Sequence, residues 1–421
     1  MKVFKFGGAS VKDAEAVRNV GRIIAHFSGE KLLVVISAMG KSTNKLEELV
    51  MSFWKNDAKK HEIIQDLKDF HFQIASDLIT DPKHHIFSDL EDLFMELECI
   101  VEKKFPNTSY DEIYDGIICY GELLSTRIVS DYLQSIETRN KWVDARNFIQ
   151  TDGNFREGRV KWTETEDTIS RILKPYVDRS VVITQGFIGR DEQNNTTTLG
   201  REGSDYSAAI FAYCLDAKDV TIWKDVAGVM NADPKKFENA VKLNAINFNQ
   251  AIELAYYGAS VIHPKTIQPL KSKNINLYVN SFININDVGT VVNNDAAQLS
   301  DECYIVKDQQ TLLSISTKNY SFIAEDNLSH IFEAFAKFKV RINVMQNSAI
   351  SFSACCDTKE DKIEELSKFL SEEYNINSKQ NCTLLTVYNG GNNIQLPEMF
   401  SHQNVLLRQM LGQTTQLVLE A

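Results

Sequence analysis

The sequence predicts an α/β protein in two parts: a mainly parallel sheet with helices on both faces over residues 1–298, then a small ferredoxin-like region over 299–421. Three observations predict it. Short apolar runs alternate with longer amphipathic ones through residues 1–300. Glycine-rich turns directly follow several of the apolar runs. After residue 300 the pattern becomes strand, helix, two strands, helix, strand.

The first part reads in order. Candidate strands are Val3–Phe6, Leu32–Ser37, Val181–Gln185, Val220–Lys224 and Asn276–Asn280. Helical periodicity marks Ala14–Phe27, Glu122–Gln134 and Asp205–Leu215 between them. Residues 55–105 are polar and apolar at helical period with few strand formers, and they read as a helical insertion. A boundary falls near 295–302, where VGTVV ends an apolar run and NNDAAQLSDE is polar. TLLSIST, NLSHIFEAFAKF, VRINVMQNSAISFSACC, KIEELSKFLSEEY and CTLLTVYN then supply β-α-β-β-α-β. The remaining tail reads as one helix and one closing strand.

Composition bounds the function. With 421 residues, two or three domains are expected, and 43% hydrophobic with 24% charged residues suits a globular enzyme. A net charge of −12 and a pI of 5.3 argue against a general nucleic-acid or anionic-membrane binder. The N-terminus MKVFKFGGAS lacks an apolar h-region, and no apolar run is long enough for a bilayer, so neither export nor a membrane span is expected. Seven scattered cysteines without a C-x-x-C pair fit reduced thiols in a cytoplasm. Eight histidines form no H-E-x-x-H and no close ligand cluster, so no protein-held transition metal is expected.

Five short stretches carry the chemistry. In Lys5-Phe6-Gly7-Gly8-Ala9-Ser10 a strand runs into two glycines, which let backbone N–H groups approach an anion. Lys5, at the strand's carboxyl end, can balance charge on a transferring phosphoryl group. Gly-Gly alone favours a plain βα turn with a solvent-exposed lysine. Ser37-Ala38-Met39-Gly40-Lys41-Ser42-Thr43-Asn44 follows the next strand and offers hydroxyls to a ligand; Ser-Thr-Asn also reads as a helix N-cap. Glu122 opens a helix, as a dipole-favoured acid or as a carboxylate for a substrate ammonium. In Thr196-Thr197-Thr198-Leu199-Gly200-Arg201-Glu202-Gly203-Ser204-Asp205, Arg201 can grip a carboxylate in two-pronged fashion, and Ser204 or Asp205 can cap an alanine-rich helix. An aspartate near a phosphate needs a cationic partner, and Lys5 is the natural one. Lys224-Asp225 ends a buried strand before a turn-rich loop that holds Met230 and Lys235 and suits a nucleotide or a simple connection. His263, before Pro264, reads as a turn residue.

These pieces, taken in order from KFGGAS through TTTLGREGSDYSAA to HPKT, resemble the aspartate kinases of the amino-acid kinase family, and the C-terminal part resembles their ACT-type regulatory region. The resemblance implies a three-layer αβα sandwich and an ATP-dependent phosphotransferase that converts L-aspartate to 4-phospho-L-aspartate. It assigns Lys5, Gly7 and Gly8 to the phosphate loop, with Lys5 and Asp205 catalytic. Ser37, Thr43, Glu122, Arg201 and Ser204 would contact aspartate, Glu122 at the α-ammonium and Arg201 at the α-carboxylate. Gly203, Lys224, Asp225, Met230, Lys235 and Ser260 would line the adenine nucleotide, with magnesium held mainly by phosphate oxygens. A homodimer and an amino-acid effector at the ACT-type region are also implied.

The chain departs from the family pattern at several places. Ala9 replaces a frequent threonine, Glu202 a frequent glycine, Met230 a frequent tyrosine and Ser260 a frequent lysine. Asn343 stands where lysine-inhibited members hold the effector ammonium with an aspartate, and Ala324-Glu325-Asp326-Asn327 lacks the usual glycine. The tail is short for a second full ACT unit, and 421 residues leave no room for a fused homoserine dehydrogenase. Weak or absent lysine inhibition is therefore expected. Acetylglutamate, glutamate or UMP kinases of the same fold, and a catalytically silent ligand sensor, are the competing readings.

Overall fold

The computed structural model describes residues 1–103, 108–259, 262–319, 321–391 and 396–420. The chain forms two compact units: Met1–Val229, Lys242–Ile252 and Val261–Ala297 make the first, and Met230–Val241, Glu253–Ser260 and Gln298–Ala421 the second.

The first unit begins β1 (Lys2–Phe6), α1 (Ala14–His26) and β2 (Leu32–Ile36), then α2 (Ser42–Trp54), α3 (Lys59–Leu78), α4 (Ile86–Glu102), α5 (Tyr110–Ile118) and α6 (Tyr120–Ser135). It continues with β3 (Asn140–Trp142), α7 (Trp162–Thr168), α8 (Lys174–Val177), β4 (Val181–Gln185), β5 (Ile188–Arg190), β6 (Thr196–Thr198), α9 (Gly203–Cys214) and β7 (Asp219–Lys224). β8 (Ala245–Asn247), α10 (Phe248–Tyr257), α11 (Pro264–Ser272), β9 (Asn276–Ser281) and β10 (Thr290–Asn293) follow, and the division between the units falls within α10. The main sheet has the order β3-β4-β2-β1-β7-β9-β10-β8. β3 through β9 run parallel, while β10 is antiparallel to β9.

The sequence explains this sheet. All five residues of β2, LLVVI, are buried, as a parallel strand covered on both faces requires. Phe6 stacks on Trp223 of the neighbouring strand, with ring centroids 6.0 Å apart. Asp13 accepts the Ala16 N–H at 2.8 Å and starts α1. α9 is rich in alanine, with Ala208, Ala209 and Ala212 all fully buried, which lets the helix lie close over β1, β2 and β7. The stretch 55–105 supplies α3 and α4.

The second unit holds β11 (Cys303–Thr317), α12 (Glu325–Lys337), β12 (Ile342–Asn347), β13 (Ser351–Asp357), α13 (Glu360–Leu370), β14 (Tyr374–Tyr388), β15 (Val405–Leu411) and β16 (Thr414–Glu420). They form one sheet, β12-β13-β11-β14-β16-β15, antiparallel throughout. β11 and β14, 15 residues each, run through both halves of it. α12 and α13 cover one half, with Ile331, Phe335, Ile363 and Leu366 in the core. The tail differs from expectation: in place of a helix it forms the hairpin β15–β16 around Gly412, whose φ of +58° suits a tight turn. The apolar alternation of TTQLVLE pairs it with β14. No helix among the described residues is long and apolar enough to cross a membrane.

Candidate active site

The carboxyl ends of β1, β2, β4 and β7 meet at one edge of the first sheet, where open α/β sheets bind ligands. Backbone bonds tie these ends together: Ser37 N–H donates to the Phe6 carbonyl at 3.1 Å, Gly40 N–H to the Gly8 carbonyl at 3.1 Å, and Gly186 N–H to the Ile36 carbonyl at 3.1 Å. Glycine is required where these turns touch. A Cβ on Gly8 would sit 2.8 Å from the Ala38 carbonyl oxygen, and one on Gly121 2.9 Å from the Ala38 Cβ. A Cβ on Gly186 would fall 2.5 Å from the Ser204 Cβ and 2.7 Å from its Cα. Gly186→Ala therefore forces α9 away from β4, and its thermal midpoint and kcat/KM are both expected to fall, the latter about tenfold or more. Steady-state kinetics beside a melting curve check this, and a variant with native kinetics contradicts it.

Into this edge point the charged groups. Lys5 Nζ lies 2.7 Å from Asp205 Oδ1, with side chains only 12% and 4% exposed. Lys224 Nζ is 3.9 Å from Asp205 Oδ2, so two lysines from adjacent strands share one buried carboxylate in the first turn of α9. The Lys5 ammonium sits over Gly7, 3.3 Å from where a Cβ would lie. Glu122, in the first turn of α6, is buried; its Oε1 accepts the Ala38 N–H at 3.3 Å, and Oε2 has no hydrogen-bond partner among the described residues. Burial pushes the Glu122 carboxyl up to about 8, against the opposing pull of the Ala38 N–H and the Lys5 charge. Ser37 offers its carbonyl to Ser125 Oγ at 2.7 Å. Ser204 is buried in the first turn of α9 beside Gly203, and Thr43 is half-buried in the first turn of α2. Arg201 is exposed, with no hydrogen bond or ion pair among the described residues.

Several expectations change. Ser42, Thr43 and Asn44 do not cap α2: Lys41 occupies the cap position without a side-chain bond, and Ser42 Oγ donates to the Met39 carbonyl at 2.7 Å instead. Ser204 and Asp205 lie inside α9 rather than capping it. The cap position is Glu202, in the left-handed region at φ 54°, a conformation that glycine adopts without strain. The Glu202 carboxylate gains a role in return by accepting the His263 N–H at 2.9 Å. His263 is the structural residue expected, its Nδ1 accepting the Lys265 N–H at the start of α11. Asp225 is exposed at the end of β7; Met230 and Lys235 belong to the second unit; Ser260 lies outside the described residues. Sequence reasoning missed Gly186, which only its place after a strand could have flagged. It also missed Asp115, whose buried carboxylate accepts the N–H groups of Arg156 and Thr198, both at 2.8 Å, and ties α5 to the strand before Arg201.

Glycine turns, a helix N-terminus and paired lysines at the ends of parallel strands define an α/β protein that handles an anionic, phosphate-bearing ligand. The amino acid kinase family matches residues 1–281, and the chain belongs to that family. It is 32% identical over 365 residues to aspartokinase 1, chloroplastic, of Arabidopsis thaliana, covering 84% of this chain and 63% of that protein. It is 30% identical over 357 residues to lysine-sensitive aspartokinase 3 of Escherichia coli, covering 85% of this chain and 78% of that protein. Among solved structures it resembles E. coli aspartokinase III in complex with aspartate and ADP, with a TM-score of 0.83 and 26% identity over 100% of this chain and 96% of that one. The chain thus spans under two thirds of the plant relative and most of the bacterial one.

Proposed function

We propose that this chain transfers the γ-phosphoryl group of ATP to the β-carboxylate of L-aspartate, giving 4-phospho-L-aspartate and ADP, the first step towards lysine, threonine and methionine. The observation that carries the reading is the buried Lys5–Asp205 pair beside the buried Glu122. The relatives' names and the aspartate and ADP held by the solved structure support it.

The residues divide the work. The β-carboxylate is ionised at neutral pH and attacks the γ-phosphorus in line without a general base; a new P–O bond forms as the bond to the β-phosphate oxygen breaks, and ADP leaves with that electron pair. Lys5 and Lys224 meet the charge that develops on the phosphoryl oxygens, and Asp205 holds both ammonium groups in place. Glu122 receives the substrate α-ammonium at Oε2, and Arg201 grips the α-carboxylate. Ser37, Thr43 and Ser204 complete the substrate contacts. Gly7, Gly8 and Gly203 admit the phosphates close to the backbone. Asp225, next to Lys224 at the end of β7, contacts the nucleotide. Asp205 is engaged by two lysines, so magnesium would be held mainly by phosphate oxygens of the nucleotide and would supply charge neutralisation there. An ADP-release assay with MgATP and aspartate, acetylglutamate, glutamate or UMP tests the assignment: turnover with aspartate supports it, and turnover with another acceptor alone overturns it.

We assign residues 1–298 to catalysis and 299–421 to an ACT-type region, its second unit shortened, that serves mainly to pair two copies. The exposed Phe332 and Met345 support pairing, and seven unpaired cysteines support a cytoplasmic setting. Asn343 is fully occupied: Lys307 Nζ donates to its Oδ1 at 2.9 Å, and its Nδ2 donates to Asp357 and Gln310, both at 2.7 Å. Exchanging carboxylate for amide there removes a charge-assisted bond of about 1.5–3 kcal/mol to an effector ammonium. Glu325 and Asp326 in the first turn of α12 oppose an effector carboxylate. L-lysine is therefore expected to inhibit only above roughly 1 mM, and a titration with half-inhibition below that concentration would falsify the assignment.

A further inference from the structure

The expectation of no histidine ligand cluster fails at one place, away from the strand ends. His85 immediately precedes α4, and its Nε2 lies 2.7 Å from Oδ1 of Asp131 on α6. The adjacent His84 stacks on His85 with ring centroids 4.3 Å apart. One ligand atom from each of the three residues lies within 4.8 Å of the other two. Asp131 is 3% exposed, whereas the His85 side chain is 56% exposed. The sequence hid this group because its third member comes from a different helix.

The surroundings favour a cation. A buried carboxylate needs a positive partner. Arg127 is nearby, but its guanidinium pairs with Asp89 at 3.7 Å and stacks 4.2 Å from the Trp142 ring, so its charge is shared with a second carboxylate. Two imidazole nitrogens and one carboxylate oxygen are the donor set that transition ions prefer and magnesium does not. His84 Nδ1 accepts the Ile86 N–H over a long 3.2 Å, a bond that coordination through either ring nitrogen gives up.

We propose that His84, His85 and Asp131 form a site for a divalent transition ion of the zinc type. Three protein ligands leave a fourth position to water, and the exposed edge of His85 gives the ion its entry. Binding clips α4 onto α6, the helix whose first turn carries Glu122. The proposal is independent of the phosphoryl-transfer reading, since a magnesium nucleotide needs none of these ligands.

Equilibrium dialysis of the full chain against micromolar zinc chloride, followed by metal analysis, tests it. About one zinc per chain is expected to remain, with affinity reduced roughly tenfold or more in His84→Ala and in His85→Ala. His61→Ala, at a histidine paired instead with Glu102, and Cys99→Ser, at an exposed thiol, should leave binding unchanged. Cobalt(II) should show d–d bands without a thiolate charge-transfer band. A circular dichroism melt in EDTA identifies any variant that fails to fold, and the other histidine variant then carries the test. The site is overturned if the unsubstituted chain retains no zinc, if both folded histidine variants retain it fully, or if Cys99→Ser abolishes it.

Discussion

Lys5→Ala is expected to lower kcat about a thousandfold while the aspartate KM changes less than about threefold. On the proposed reading Lys5 meets the phosphoryl group rather than the amino acid, so its charge is felt mainly in the transition state. Its second role is structural. Asp205 is 3% exposed, and without Lys5 its remaining ion-pair partner among the described residues is Lys224 at 3.9 Å. Removing one partner of a buried pair costs about 3–5 kcal/mol, so the variant's thermal midpoint should fall as well. The double variant Lys5→Ala/Asp205→Asn separates the two effects. It removes the uncompensated charge, and stability should return while kcat stays low. A double variant that recovered turnover would show that the single loss was one of folding.

The Lys5–Asp205 contact was legible in the sequence, and the reason is chemical. An aspartate beside bound phosphate is repelled unless a cation neutralises it, so the pairing followed from the chemistry before any distance was known. The strands were legible for a similar reason: LLVVI, and the VVI that opens β4, have the continuous apolar character of a buried parallel strand. What escaped was set by contacts distant in sequence. Gly186 is special only because Ser204 packs against it, and Asp115 only because Thr198 and Arg156 come to it. The helix caps failed for a local reason. Serine and threonine are good caps in isolation, but both helix starts at the site are held by backbone turns, Gly203 N–H to the Gly200 carbonyl and Ser42 N–H to the Met39 carbonyl. That arrangement frees the hydroxyl and carboxylate of Ser204 and Asp205 from capping. The tail escaped because an apolar strand of seven residues and a short helix share the same composition.

Glu122→Gln is expected to stabilise the ligand-free protein and to lower kcat/KM for aspartate about a hundredfold. The sign follows from burial. The folded carboxyl is pushed from its ordinary value up to about 8, so the folded chain binds this proton more tightly than the unfolded chain does. Stability from this group is complete at low pH and declines as pH rises from about 4.5 to 8, where the unfolded carboxyl ionises and the folded one does not. Glutamine, which never ionises, escapes that decline, so the variant's thermal midpoint should exceed the parent's by a few degrees at pH 8 and match it near pH 4.5. Activity should move the other way. If Glu122 holds the substrate ammonium as proposed, the parent must release the proton on binding, and its kcat/KM should rise with pH towards about 8. The glutamine variant should lose that dependence, with most of the loss in KM rather than kcat. Melting curves and aspartate titrations over pH 5–9 read both effects. A variant less stable than the parent at pH 8, or one that keeps the parent's pH profile, would place the ammonium contact elsewhere. The buried carboxyl is thus a source of instability which, on the proposed reading, is retained for binding: α6 carries an acid that keeps its proton until the substrate's ammonium supplies the missing partner.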